Sequence, residues 1–89
     1  MNHHFLKIYP EHYNNVKDGT KTFEIRKNDR AFQKGDKVTL YYWPRNGDNS
    51  KSNHSYAEEY KMPELTFFIG DVYLIDSESV VFSLLKDKP

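Results

Sequence analysis

Apolar and polar residues change rhythm along this chain, and each change marks the border of an element. His4 to Tyr9 (H-F-L-K-I-Y) alternates, with Leu6 and Ile8 on one face and Phe5 and Lys7 on the other, as a half-buried strand does. Pro10 stops it. Proline is well tolerated in the first turn of a helix, and Pro10 to Lys17 followed by Asp18-Gly19 predicts a short helix closed by a left-handed glycine. Tyr13 and Val16, three apart, are its expected core face. Lys21 to Lys27 alternates again, with Phe23 and Ile25 expected to face the core and Thr22, Glu24 and Arg26 the other side. Asn28-Asp29 breaks that strand, because both side chains bond their own backbone in turns. After Lys34-Gly35-Asp36, Lys37 to Trp43 (K-V-T-L-Y-Y-W) is a third strand rich in β-branched and aromatic residues, ended by Pro44.

The second half is plainer. Arg45 to Glu64 is polar, includes N-G-D-N-S-K-S-N-H-S, and reads as a long mobile loop or disordered excursion. Leu65 to Ile75 predicts a strand bent near Gly70-Asp71, where a glycine signals a bulge or a barrel corner. The turn Asp76-Ser77-Glu78 leads to a last strand, Ser79 to Leu85. Five short strands and one helix near the front predict a mainly β domain with α, an α+β fold. Closure into a small mixed or antiparallel barrel protects the strand edges.

Composition narrows the chemistry. At 89 residues the chain is one domain, with a core that supplies only a modest margin of stability. Cysteine is absent, which removes disulfides, thiol nucleophiles and thiolate metal sites. No apolar run approaches the roughly 20 residues that cross a bilayer, and M-N-H-H-F-L-K lacks a secretory apolar region. A cytoplasmic protein without a membrane partner is expected. Formal charge is zero, yet residues 1–43 hold eight basic against five acidic side chains, a surplus of three. A front half with that bias attracts an anionic ligand.

The ionisable groups crowd into one strand and its turn. Lys21, Glu24, Arg26, Lys27, Asn28, Asp29 and Arg30 all fall within ten residues. Arginine presents a planar fork of donors suited to phosphate or a base edge, and lysine a point charge for phosphate. Lys7, Lys21, Arg26 and Arg30 are therefore candidates to hold an anion or a nucleobase. Glu24 and Arg26, two apart on one strand face, are placed to pair, and Asn28 and Asp29 are expected to shape the turn. His4 falls on the Leu6 and Ile8 face, where a lone histidine is more often a hydrogen-bonded structural residue than a catalyst. His3, His12 and His54 show no metal-ligand spacing, so no metal and no cofactor is expected. Tyr42 is in phase with Val38 and Leu40 as core, whereas Tyr41 and Trp43 face the other way and are candidates for stacking on bases.

Several fixed spacings together resemble the ASCH superfamily of small PUA-like β-barrels, in its stand-alone bacterial and phage branch. The residues are His4-Phe5-Leu6-Lys7, Gly19-Thr20-Lys21, Glu24-Ile25-Arg26-Lys27-Asn28-Asp29-Arg30-Ala31-Phe32 and Gly35-Asp36. The resemblance covers about the first half of the chain and implies a PUA-like five-stranded barrel with a short helix after the first strand. It also implies a polar cleft between that helix and the sheet, and a role in binding RNA or a nucleotide-like ligand. Some members of the superfamily look like small amidohydrolases that deacylate modified cytidine with a lysine after the helix and a threonine three residues later. Here Lys21 holds the lysine position, but the threonine position is Glu24, and Thr22 points to the opposite strand face. A carboxylate can act as general base but is not that hydroxyl.

The leading expectation is accordingly a binding module whose site comprises His4, Lys7, Lys21, Glu24, Arg26, Asn28 and Arg30. An enzyme acting on an acylated nucleoside through Lys21 and Glu24 is the alternative. A phage-type accessory protein that captures a host protein through residues 45–64 is another.

Overall fold

The strand rhythm translates into a single curled sheet in the computed structural model, which describes residues 1–89. β1 (His3–Ile8) is followed by α1 (Pro10–Lys17), β2 (Phe23–Lys27), β3 (Lys37–Tyr42), α2 (Ser55–Tyr60), β4 (Leu65–Leu74) and β5 (Ser79–Leu85). The sheet order is β1-β3-β4-β5-β2, and the sheet bends into a half-barrel, a small α+β fold. β1 runs parallel to β3, with Leu6 opposite Leu40, and every other pairing is antiparallel. No helix is long and apolar enough to cross a membrane.

The core is the concave side. Leu6 and Ile8 of β1, Val38 and Leu40 of β3, Ile69 of β4 and Val80, Phe82 and Leu84 of β5 meet Tyr13 and Val16 of α1 there. α1 follows its sequence signals. Pro10 occupies its first turn, and Gly19 just beyond its end has φ +86°, a conformation that a β-carbon would strain. Tyr13 is fully buried, and its hydroxyl donates to the Pro63 carbonyl at 2.5 Å, tying the helix to the chain just ahead of β4. The bend expected near Gly70-Asp71 is present as a register shift between Ile69 and Val72. A β-carbon on Gly70 would overlap Ser83 Oγ.

Three expectations are corrected. The alternation of β2 is right, but its faces are reversed: Phe23 and Ile25 point to solvent and Glu24 points inward. The reason is position, because β2 is an edge strand and its inner face looks onto the gap beside β1, where cationic partners await the carboxylate. Its first residues are also not strand, and Lys21 belongs to the link after α1. Second, residues 45–64 are not without structure. They contain α2, a helix of six residues that would not persist alone in water. Tyr56 anchors it by burying its ring edge-on against Trp43, with centroids 4.8 Å apart, and burial of such a side chain contributes about 2 kcal/mol. Third, Tyr41 and Trp43 are both buried and cannot stack on a base: Tyr56 covers Trp43, and Tyr41 packs edge-on against Trp43 with its ring centre 5.9 Å away. Gly47 reinforces the cover by lying directly against the Trp43 ring.

Candidate functional site

An open sheet leaves two edges, and here the curl brings them face to face. β1 hydrogen-bonds through its even residues to β3, so the carbonyls of Phe5 and Lys7 point to the vacant side. Arg26 Nη2 donates to Lys7 O at 2.7 Å, and Arg30 Nη1 donates to Phe5 O at 3.1 Å. Two guanidinium groups therefore bridge a seam that no backbone ladder closes. Part of the charge excess in this strand and turn is structural.

The same arginine orients the central carboxylate. Glu24 accepts from Arg26 Nε at 3.0 Å on one oxygen and from Lys21 Nζ at 3.3 Å on the other. A buried carboxylate without such partners would be costly, so the cations and Glu24 stand or fall together. Lys21 is presented by the helix exit: after Gly19 the chain turns back, and the Lys21 amide donates to the Asn15 carbonyl at 2.8 Å. Thr20 also binds the carboxylate of Asp18, whose pKa these hydrogen bonds hold below its ordinary value.

Between α1, the end of β1 and β2 lies a cleft of about 200 Å³. Its walls include Lys7, Tyr9, His12, Lys21, Glu24 and Arg26. Three permanent cations against one carboxylate leave a formal surplus of two positive charges around the opening. Lys7 is held from the far side, with Nζ 4.2 Å from the centre of the Trp43 ring and donating to Asn49 Oδ1 at 2.8 Å. The segment after β3 thereby positions one wall of the cleft. Tyr9 stacks under the Arg45 guanidinium at 4.1 Å, and Arg45 also pairs with Glu11.

Of the seven residues read from the sequence, Lys7, Lys21, Glu24 and Arg26 come together here, and three lie elsewhere. His4 is buried below the other face of β1, where its Nε2 lies 2.9 Å from Asp36 Oδ2 and its ring 4.7 Å from that of Phe32. Asp36 also accepts from the Asn2 and Gln33 amides, both at 3.1 Å. Burial pushes this carboxyl up, but the hydrogen bonds from His4, Asn2 and Gln33 outweigh it and hold the pKa below the ordinary value. His4 is thus part of a knot that pins the N-terminus to the turn before β3. The Asn28 side chain is exposed, while its amide extends the β2–β5 ladder to Glu78 O at 2.7 Å. Arg30 lies along the seam and Asp29 beside it in solvent, 3.9 Å away.

Tyr9 and His12 are cleft residues that sequence reasoning missed. No pattern distinguishes His12 from the other exposed positions of α1, and only the approach of β2 gives it a role. Tyr41, expected as an open stacking aromatic, is instead buried behind the seam. Desolvation pushes its phenol up, against the opposing charges of Arg30 and Arg26. No three His, Asp or Glu side chains converge as metal ligands.

No curated protein matches the chain. A family match instead runs over residues 3–84, from the first residue of β1 almost to the end of β5, and takes in the whole seam and cleft. On that span the chain belongs to the family described as "Domain of unknown function (DUF3850)".

Proposed function

We propose that the cleft between α1 and the β1–β2 seam binds a nucleotide or a short single-stranded RNA segment. The observation that carries this reading is the convergence of Lys7, Lys21 and Arg26 around the buried Glu24 in a space of about 200 Å³. Lys7 and Lys21 supply point charges for phosphate, and Arg30 extends positive charge along the seam. Glu24, fixed by Arg26, keeps free lone pairs that accept from a base or ribose. The resemblance of the strand and turn motif to ASCH domains supports the same reading, as does the position of the cleft beside the helix after the first strand. RNA recognition of this kind uses unpaired bases and backbone contacts together.

Catalysis on an acylated nucleoside is the second reading, and the 3.3 Å contact of Lys21 Nζ with Glu24 favours it. Against it, Glu24 stands at the position where the hydrolase-type chemistry uses a threonine hydroxyl. Anisotropy titration of a labelled single-stranded RNA against wild type, Lys21→Ala and Arg26→Ala at two salt concentrations tests the proposal. Wild type is expected to bind with a log–log salt slope of about −1.4, for two phosphate contacts, and Lys21→Ala to lose about tenfold. No binding, or binding indifferent to salt and to both substitutions, overturns it. Turnover of an acylated cytidine that disappears in Glu24→Gln would decide for the enzyme.

A further inference from the structure

The outer face of β2, β5 and β4 carries a second groove, unrelated to the cleft in its chemistry. Cross-strand register sets two rows of side chains there. Ile25, Val81 and Tyr73 form one row, since Val81 pairs with both neighbours. Phe23 and Ser83 form the next, and on β4 the register shift sets Gly70 and Asp71 opposite Ser83. A groove of about 210 Å³ opens here, lined by Phe23, Asp71, Tyr73, Val81 and Ser83. The bulge has a local effect: it removes a side chain at Gly70 and turns Asp71 toward the groove. Phe23 and Tyr73 are 42% and 64% exposed, which is unusual for aromatic residues on regular strands of so small a sheet.

We infer that this groove is a stacking platform for an unpaired base of the same single-stranded RNA whose neighbouring nucleotide occupies the cleft, an inference that rests on the cleft being a nucleotide site. Lys21 makes the two continuous. Its Nζ lines the cleft beside Glu24 and also lies 5.5 Å from the centre of the Phe23 ring, so one cation borders both sites. A phosphate held by Lys21 would leave one base to enter the cleft and the next to cross the β2 edge onto Phe23 and Tyr73. Exposed aromatic rings on a sheet are how single-stranded RNA is commonly held, because every base has a stackable face. Asp71, paired with Lys34 at 3.4 Å, adds an acceptor that favours bases carrying an exocyclic amino group. A second copy of the chain is the weaker occupant. Phe23, Ile25, Tyr73 and Ile75 together expose roughly 400 Å² on their fractional exposures, about half of what each partner of a stable dimer buries.

The test compares fluorescein-labelled hexamers of adenylate, cytidylate and uridylate with the labelled mononucleotides, on wild type, Phe23→Ala, Tyr73→Ala, Asp71→Asn and Lys21→Ala. Phe23→Ala and Tyr73→Ala are each expected to weaken hexamer binding about 5- to 150-fold while leaving mononucleotide binding unchanged. Asp71→Asn, which keeps one acceptor oxygen but adds a donor able to reach a uracil carbonyl, is expected to weaken a preference for adenylate and cytidylate over uridylate. Unchanged hexamer affinity in both aromatic variants, with Lys21→Ala still impaired, overturns the platform and leaves the cleft reading standing. Failure of wild type to bind either ligand overturns both. A concentration-dependent dimer in sedimentation, lost in Tyr73→Ala, would assign the face to a second copy and likewise overturn the platform.

Discussion

Inward from β2, Glu24 is only 4% exposed between Lys21 and Arg26, while outward from the same five residues Ile25 stands 54% exposed. At this sheet edge, burial follows available partners rather than polarity. A central strand such as β3 is covered on both faces and buries an almost continuous apolar run, as a strand between two layers does. β2 lies at the edge, where the inner side offers cations and the two carbonyls outside the β1 ladder, and the outer side is a shallow groove open to water. Lys21 and Arg26 offset the cost of burying the Glu24 carboxylate, which no apolar side chain at that position would need.

Breaking the inner face should therefore cost far more than altering the outer one. Glu24→Ala leaves Lys21 and Arg26 half-buried without their counter-charge, and a loss of about 3 kcal/mol is expected from urea unfolding. Asp36→Asn extends the comparison to the other buried carboxylate, where about 2 kcal/mol is expected at neutral pH because His4 and two amides lose a charged acceptor. Its folded pKa is held below the unfolded value, so its contribution is present above about pH 4 and is lost as pH falls through the folded pKa. Unfolding midpoints between pH 7 and pH 3 should show this acid limb in wild type and a flatter one in the variant. Arg26→Lys sharpens the account of the seam. It keeps the charge but cannot reach Glu24 and Lys7 O together, so about 1 kcal/mol is lost and β1 amides exchange faster with solvent. Ile25→Thr on the outer face should stay within about 0.5 kcal/mol of wild type.

Local signals in the chain were dependable wherever a short stretch settles its own conformation. Pro10 and Gly19 bracket α1, Ser79 to Leu85 is β5 as its pattern predicts, and the Gly70 bend is where a glycine in a strand indicates. Of the site residues, alternation grouped Glu24 with Arg26 and the helix exit presents Lys21, but their meeting with Lys7 needs the two sheet edges to close. What was hidden is whatever depends on a distant segment. Trp43 reads as an open aromatic because nothing near it reveals that Tyr56 returns to cover it, and Tyr41 because Arg26 and Arg30 approach it only in the folded chain. His4 reads both as a site residue and as a hydrogen-bonded structural one, and only Asp36, 32 positions away, shows it to be the second.

The kinds of element, their order, the grouping of residues into strand faces and the concentration of charge before β3 were all legible along the chain. Each of these depends on periodicity and turn chemistry within a few residues. Long-range contacts set which face of β2 is inside, join two sheet edges through Arg26 and Arg30, and pack α2 on the end of β3. Period-two alternation separates two faces but carries no label for the side on which the rest of the chain will lie. That label is set by the curl of the sheet, which brings β1 and β2 together from opposite ends of the strand order.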